Sequence, residues 1–346
     1  MTARTAVSCV VMRGGTSKGV VVRREELSDE PDRRERQVLS LFGSPHPYQV
    51  DGLGGGSAAT NKFVMIGEST KPGADVDYTF GQVSVTEPRV DFTGTCGNMS
   101  AAGALFAAQE GYLGDSDGDG ERTVVLHNTN TGGLITAVLA SARPGGDEQH
   151  VLLDYSDMAQ EPFVDGRLRA ELVLPDGEVV EASLSNIGNP VVFVRASSLG
   201  IEGDEPPAEL DADAGYVARV EAIREAGRAA MLKSGVPGVE NPAGRLPMLA
   251  AVSRARVAAD ICVRLRVVGR THAALAGSGA ISTAAFMLAE GTIPAEYGPA
   301  EDRRRIRIEH PAGVMDVVTR RATDGTFSRL ALERTARRLM EGRAYV

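Results

Sequence analysis

The sequence predicts an α+β fold built twice over, with a helix buried in each half, and three observations carry that prediction. The first is residues 94–111, which read Gly-Thr-Cys-Gly-Asn-Met-Ser-Ala-Ala-Gly-Ala-Leu-Phe-Ala-Ala-Gln-Glu-Gly. After Cys96 the run is small or apolar on every side until Gly111. A helix apolar all round is a buried one, and glycine is its usual stop. The second is a copy of that run 180 positions later, from Ala276 to Gly291, with Gly277 under Gly97, Phe286 under Phe106 and Glu290 under Glu110. The third is that the register persists. Gly133 falls on Gly313, and each is followed by an alternating apolar segment, 134–139 and 314–318. One short match arises by chance, whereas two separated matches in one register indicate a duplicated architecture.

A chain of 346 residues suits two domains, and 42% hydrophobic residues suffice for two cores. A formal charge of −9 argues against nucleic acid as a partner. Cys9, Cys96 and Cys262 show neither metal-ligand spacing nor an even framework, which favours a reducing compartment. The first residues carry no signal-peptide pattern, and no apolar run reaches membrane-spanning length. The expected class is a cytoplasmic enzyme with no membrane partner.

In chain order, residues 6–12 read as a strand, 13–19 (Arg-Gly-Gly-Thr-Ser-Lys-Gly) as a polar loop, and 20–23 as a second strand. The loop offers Thr16, Ser17, Lys18 and clustered N–H groups, which could grip carboxylate or phosphate or simply turn a hairpin. It lacks Walker spacing. Residues 29–42 predict a helix capped by Asp29 or Asp32. The glycine-dense stretch from Asp51 to Asn61 marks tight turns or backbone close to a ligand, and it does not match Gly-x-Gly-x-x-Gly. Lys62 then opens the apolar strand 63–66, either as a snorkelling edge residue or as a base with a lowered pKa.

Two more strands follow within 76–92. Residues 115–120 begin like a calcium loop, but Leu126 stands where Glu belongs, so a solvated acidic turn is expected. The turn 127–133 is polar, and its His127 reads as structural. The second half is placed from residue 185, giving domains 1–184 and 185–346, with about the last 20 residues able to pack back on the first half. In it we expect a strand at 191–195, an acidic surface loop at 200–213, an amphipathic helix at 214–233 and a strand at 248–253 that lacks an opening lysine. The Arg-rich tail 328–341 reads as an amphipathic helix or strand.

Cys96 is predicted where a strand turns into the N-terminus of the first buried helix. Unpaired N–H groups and the positive end of the helix dipole gather there and favour a carboxylate or a thiolate. The alternative is a small cysteine packed at a crowded turn. Gly277, Ser278 and Gly279 head the second helix, with Ala276 in the place of the thiol. A site lying between the halves would be flanked by two helix N-termini.

Four motifs in order, Arg13-Gly-Gly-Thr-Ser-Lys-Gly, Asp51-Gly-Leu-Gly-Gly, Thr60-Asn-Lys62 and Thr95-Cys-Gly-Asn-Met-Ser100, together resemble the PrpF family of 2-methylaconitate cis-trans isomerases, 4-oxalomesaconate tautomerases and methylitaconate isomerases. The tail motif 334–342 is similar to the family's as well. The resemblance implies the diaminopimelate epimerase-like fold, two similar domains each with a curved sheet wrapped around a central buried helix. It places the family's catalytic lysine and cysteine on Lys62 and Cys96, and implies a cofactor-independent isomerase with no metal. Thr16, Ser17, Lys18, Gly97, Asn98, Gly277, Ser278 and Gly279 are the expected substrate-binding residues. The epimerases of this fold use two thiols, and Ala276 in the second position favours allylic proton transfer over racemisation. The expected partner is a small unsaturated di- or tricarboxylate, and the expected assembly a homodimer. The competing readings are an amino-acid racemase or epimerase of the same fold, and an accessory protein to an aconitase-like enzyme.

Overall fold

Val- and Ile-rich stretches with period-2 burial become strands, and the Ala/Gly-rich runs become helices, in a computed structural model that describes residues 5–113, 121–140, 148–241, 244, 246–267, 269–298, 304–323 and 326–346. The acidic stretch 115–120 lies outside the described residues. The chain divides into two units, residues 1–154 with 333–346, and residues 155–332. The first holds β1 (Ala6–Gly14), β2 (Ser17–Arg23), α1 (Pro31–Phe42), β3 (Lys62–Glu68), β4 (Val76–Val83), β5 (Val90–Asp91), α2 (Gly97–Gln109), β6 (Arg122–Asn128), β7 (Leu134–Leu139) and β8 (Gln149–Asp154). The second holds β9 (Ala170–Val173), β10 (Val179–Ser185), β11 (Val191–Arg195), α3 (Pro207–Ala212), α4 (Ala214–Lys233), β12 (Met248–Ser253), β13 (Ile261–Val267), β14 (Arg270–Thr271), α5 (Gly277–Met287), β15 (Arg305–His310) and β16 (Gly313–Arg321). The last strand, β17 (Phe327–Tyr345), begins in the second unit and ends in the first.

The first unit runs β1 antiparallel to β2, β2 parallel to β3, β3 antiparallel to β4, β4 parallel to β6, then β6–β7 and β7–β8 antiparallel. The later part of β17 closes against β1, with Cys9 opposite Gly342. The second unit runs through the same order: β10–β11 antiparallel, β11–β12 parallel, β12–β13 antiparallel, β13–β15 parallel, then β15–β16 and β16–β17 antiparallel. In the first unit α2 packs against β1, β2, β3, β4, β6, β7 and β8 and is buried from Met99 to Ala107. Only a helix of alanine, glycine and a few large side chains can be approached by strands from so many directions. In the second unit α5 is buried from Ser278 to Met287 and packs against β15 and β16.

The opposite face of the first sheet is covered by α1. Its Val38, Leu41 and Phe42 pack with Val7, Val20, Val22, Phe63 and Met65. Phe42 and Phe63 are fully buried, each contributing about 1.5–3 kcal/mol over an exposed side chain. Among the described residues no helix is long and apolar enough to cross a membrane.

Several boundaries differ from expectation. The helix expected from residue 29 starts at Pro31, with Glu30 in the cap position and no side-chain cap bond, because proline at the first helical position fixes the start. The expected loop 13–19 is mostly strand. Arg13 pairs with Lys18 and Gly14 with Ser17, leaving a two-residue turn in which Gly15 takes φ +49°. The acidic loop 200–213 contains the short helix α3, opened by Pro207. The tail is a strand, because it pairs with β16 and then with β1. The units meet at 154/155 rather than 184/185, since β9 pairs with β10 and goes with the second sheet.

Candidate active site

Lys62 opens β3 at the point where β2, β3 and β4 stand side by side, paired with Gly19 on one flank and Gln82 on the other. Its Nζ donates to Oε1 of Gln82 and lies 5.5 Å from the centre of the Phe80 ring. The Gln82 amide is oriented by its other end, whose Nε2 donates to the carbonyls of Asn61 (3.0 Å) and Ala58 (3.3 Å). With its N–H groups so engaged, the amide must turn its oxygen towards Lys62. The amine nitrogen is thus held by a neutral acceptor and an aromatic face, a setting that fixes its position.

Cys96 is the residue before the first turn of α2, in extended geometry (φ −136°, ψ 106°), and its side chain makes no capping hydrogen bond. Its carbonyl accepts from the Ser100 N–H (2.8 Å), the Ser100 hydroxyl (3.1 Å) and the Tyr78 hydroxyl (3.3 Å). The thiol belongs to a half-buried residue, whereas Cys9 and Cys262 are buried. Burial pushes the thiols of those two above the ordinary cysteine range, which disfavours the reactive thiolate form. The N–H groups of Gly97, Asn98 and Met99 lie in the first turn, where a helix has no partner of its own for them.

One strand face carries the supports of both residues. Tyr78, Phe80 and Gln82 alternate along β4 and so project to the same side. Tyr78 holds the Cys96 carbonyl, Phe80 underlies the Lys62 ammonium and Gln82 binds it. The first turn of α2 and the head of β3 also converge on Gly19. A Cβ there would lie 2.4 Å from the Lys62 carbonyl oxygen and 2.7 Å from Cε of Met99.

The hairpin of Thr16, Ser17 and Lys18 is latched to the helix head. Nδ2 of Asn98 donates to the Thr16 hydroxyl (3.0 Å) and the Ser17 hydroxyl (3.1 Å), while its Oδ1 accepts from Nε of Arg334 (3.1 Å). The Gly15 N–H donates to the Thr335 carbonyl (2.7 Å), and the Lys18 N–H to the Ala59 carbonyl (2.9 Å). The Asn98 side chain is therefore committed to architecture, and its backbone N–H is what it offers a ligand. In the second unit Gly277, Ser278 and Gly279 form the first turn of α5. Nδ2 of Asn189, in the loop before β11, donates to the Ser278 hydroxyl at 3.0 Å. Gly19 pairs with Lys62 as Val191 pairs with Met248, so Asn189 holds in its unit the station that Ser17 holds in the first. Ser278 is the second residue of its helix, as Asn98 is of its own.

Of the expected residues, Thr16, Ser17, Lys18, Lys62, Cys96, Gly97 and Asn98 lie in the first unit, and Gly277, Ser278 and Gly279 in the second. Sequence reasoning missed Gln82 and Tyr78, for which strand alternation was the available signal, and gave no role to Arg334, although it heads the tail motif 334–342, or to Asn189, although its polar loop enters a strand as residues 13–19 do. His127 is structural as expected: its Nδ1 lies 2.8 Å from Oδ1 of Asp77, which also accepts from the Thr70 N–H. Burial raises the Asp77 carboxyl, but the hydrogen bonds from His127 and Thr70 more than offset it and hold the group below the usual carboxylate range. Among the described residues no three His, Cys, Asp or Glu side chains form a group that could hold a metal ion.

The chain is similar to known proteins over its whole length. A family model described as PrpF protein matches residues 4–346. The 3-methylitaconate isomerase of Eubacterium barkeri is 34% identical, over 100% of this chain and 98% of the relative. The (4E)-oxalomesaconate Δ-isomerase of Novosphingobium sp. strain KA1 is 34% identical, over 98% of this chain and 97% of the relative. The crystal structure of methylitaconate-Δ-isomerase superposes with a TM-score of 0.80 at 32% identity, covering 100% of this chain and 96% of that one. A hydroxyproline epimerase from Agrobacterium vitis, at 15% identity and a TM-score of 0.59 over 100% of this chain and 92% of that one, shares the epimerase-like α+β fold.

Proposed function

The chain belongs to the PrpF family, and from that premise we propose that it is a cofactor-independent isomerase that moves a proton within a small unsaturated di- or tricarboxylate, with Lys62 as the base. The protein is an isomerase by kinship with the methylitaconate and oxalomesaconate isomerases. The observation that carries the residue assignment is the single face of β4 that supports Lys62 through Phe80 and Gln82 and the Cys96 turn through Tyr78.

Removing a proton from carbon beside a C=C–carboxylate unit leaves its electron pair to spread into the double bond and onto carboxylate oxygen. Neutral Lys62 takes that proton. The first-turn N–H groups of α2, at Gly97 and Asn98, meet the developing oxygen charge, which a preorganised helix N-terminus stabilises without reorganisation. Thr16, Ser17 and Lys18 bind a carboxylate from the hairpin. The Cys96 thiol, or the Lys62 ammonium itself, returns a proton to the far carbon of the allylic system, and the double bond has moved by one position. The N–H groups of Gly277, Ser278 and Gly279 suit a carboxylate by the same physics. A positioned acid–base pair contributes about 10²- to 10⁴-fold. In this reading the equal order of strand pairings reflects two similar domains, each a curved sheet around its helix, in a cytoplasmic homodimer.

The test is incubation with 3-methylitaconate, (4E)-oxalomesaconate and 2-methylaconitate in deuterated water, followed by NMR. One acid should isomerise with deuterium entering the allylic carbons, and Lys62→Met should stop it. Turnover that survives Lys62→Met overturns the assignment of the base, and solvent exchange at the α-carbon of a saturated amino acid instead of these acids would return the chain to the epimerases.

A further inference from the structure

The turn after β6 contains a side chain that no part of the reaction above uses. On the edge of β4 away from β3, β6 pairs with Val76, Asp77 and Tyr78, and β5 with Gln82 and Val83. Thr79, Phe80 and Gly81 fall in the gap between these two partners. Nδ2 of Asn130 fills that gap. It donates to the Phe80 carbonyl at 2.7 Å and to the Gly94 carbonyl at 2.7 Å. A side-chain amide has two N–H groups, and here each meets one carbonyl, so the nitrogen's position is determined. Phe80 is the residue whose ring underlies Lys62, and Gly94 stands two residues before Cys96.

The turn that presents Asn130 is itself held. The Asn130 N–H donates to Oδ1 of Asn128 (3.0 Å), and the Gly132 N–H to the Asn128 carbonyl (2.7 Å). The Thr129 hydroxyl lies 2.7 Å from that of Thr79, and the Thr129 N–H donates to the Tyr78 carbonyl at 3.1 Å. A turn pinned at this many points serves as a fixed bracket.

We infer that Asn130 is a positioning residue of the isomerase: its amide joins the strand that carries Lys62's supports to the turn that carries Cys96, and so sets the two groups against each other. The inference rests on the roles proposed for Lys62 and Cys96. Without the amide, two carbonyls lose their partner and the Gly94–Cys96 turn can shift. A misplacement of about 1 Å can cost about 10²-fold in rate.

The experiment compares wild type, Asn130→Ala and Asn130→Asp, the last keeping the shape but presenting acceptor oxygens to two carbonyls. In each, kcat and KM are measured on the accepted acid, and the pH dependence of Cys96 alkylation by iodoacetamide is followed by peptide mass spectrometry. The expected result is kcat lowered about 10- to 100-fold with KM within about twofold, and a displaced pH profile for alkylation of Cys96. A variant that loses thermal stability while keeping both kcat and the alkylation profile overturns the inference, since a purely structural bond would do that. If Asn130→Ala does not fold, Asn130→Asp delivers the same readouts. If wild type turns over none of the acids, the proposed function fails by itself, and the alkylation profile still decides whether Asn130 governs Cys96.

Discussion

Gly19→Ala adds one methyl group at the most crowded point of the candidate site. The new Cβ would lie 2.4 Å from the Lys62 carbonyl oxygen, 2.7 Å from Cε of Met99 and 2.9 Å from Cβ of Lys62, where side-chain Cβ atoms essentially never come within 3.0 Å. Met99 has rotatable bonds and can move its terminal methyl aside at little cost. The Lys62 carbonyl cannot, because β3 is paired on both flanks, to β2 and to β4. Clearing the contact therefore moves the head of β3 by about half an ångström or more. Overpacking of this kind costs roughly 1–3 kcal/mol. For a unit of this size each kcal/mol lowers Tm by about 2–4 °C, so about 2 kcal/mol predicts a fall of about 4–8 °C. The same displacement shifts Lys62 against the helix head, and a loss of about 10-fold or more in kcat is expected, given that about 1 Å can cost 10²-fold. Differential scanning fluorimetry measures the first and the NMR turnover assay the second. A Gly19→Ala protein with wild-type Tm would refute the packing argument. A lowered Tm with unchanged kcat would keep the packing and refute the link to Lys62.

Three further outcomes are expected. Cys96→Ser keeps the size but replaces the thiol by a hydroxyl, a far weaker acid; turnover should fall by at least about 10²-fold while substrate affinity, measured by titration calorimetry, changes little. Activity should survive exhaustive chelation, and restoration by an added metal after loss would show that the cofactor-free mechanism is wrong. Asp77→Asn removes a carboxylate held below its ordinary range by His127 and Thr70. A depressed folded pKa means stability that is complete above the unfolded value of about 3.9 and is lost as pH falls through the folded value. The Tm gap to wild type, equivalent to roughly 1.5–3 kcal/mol for hydrogen bonds to a charged group, should hold at pH 5–7 and close below about pH 4; a gap that widens in acid contradicts this.

The two buried helices were legible because burial on every side leaves a compositional mark: α2 and α5 contain almost nothing but small and apolar residues. Cys96 could be placed at a helix head, and Lys62 at a strand head, because periodicity starts beside each of them. What the helix ends, strand ends and loops do to one another was not legible. Asn98 reads as a ligand-binding residue in isolation, and only the folded chain shows its amide engaged by Thr16, Ser17 and Arg334, the last from the far end of the chain. Asn130 sat in a turn whose polarity has many explanations. The tail's arginines suit a helix or a strand equally, and pairing with β1 decides between them. The unit boundary depends on which sheet β9 joins, a tertiary choice that local composition does not record.

The two latches are the same bond written in opposite directions. In the first unit the helix donates the amide proton, from Asn98, and the hairpin supplies the hydroxyl, Ser17; in the second the loop donates, from Asn189, and the helix supplies the hydroxyl, Ser278. Exchanging one arrangement for the other takes two replacements, and either one alone leaves a mismatched pair, two hydroxyls or two amides. The contact is therefore a two-letter word whose letters are exchangeable only together. Rewriting the first latch in the second's spelling, Ser17→Asn with Asn98→Ser, should disturb the fold less than either replacement alone, although the exchanged hydroxyl would surrender the grip of the helix head on Thr16 and Arg334.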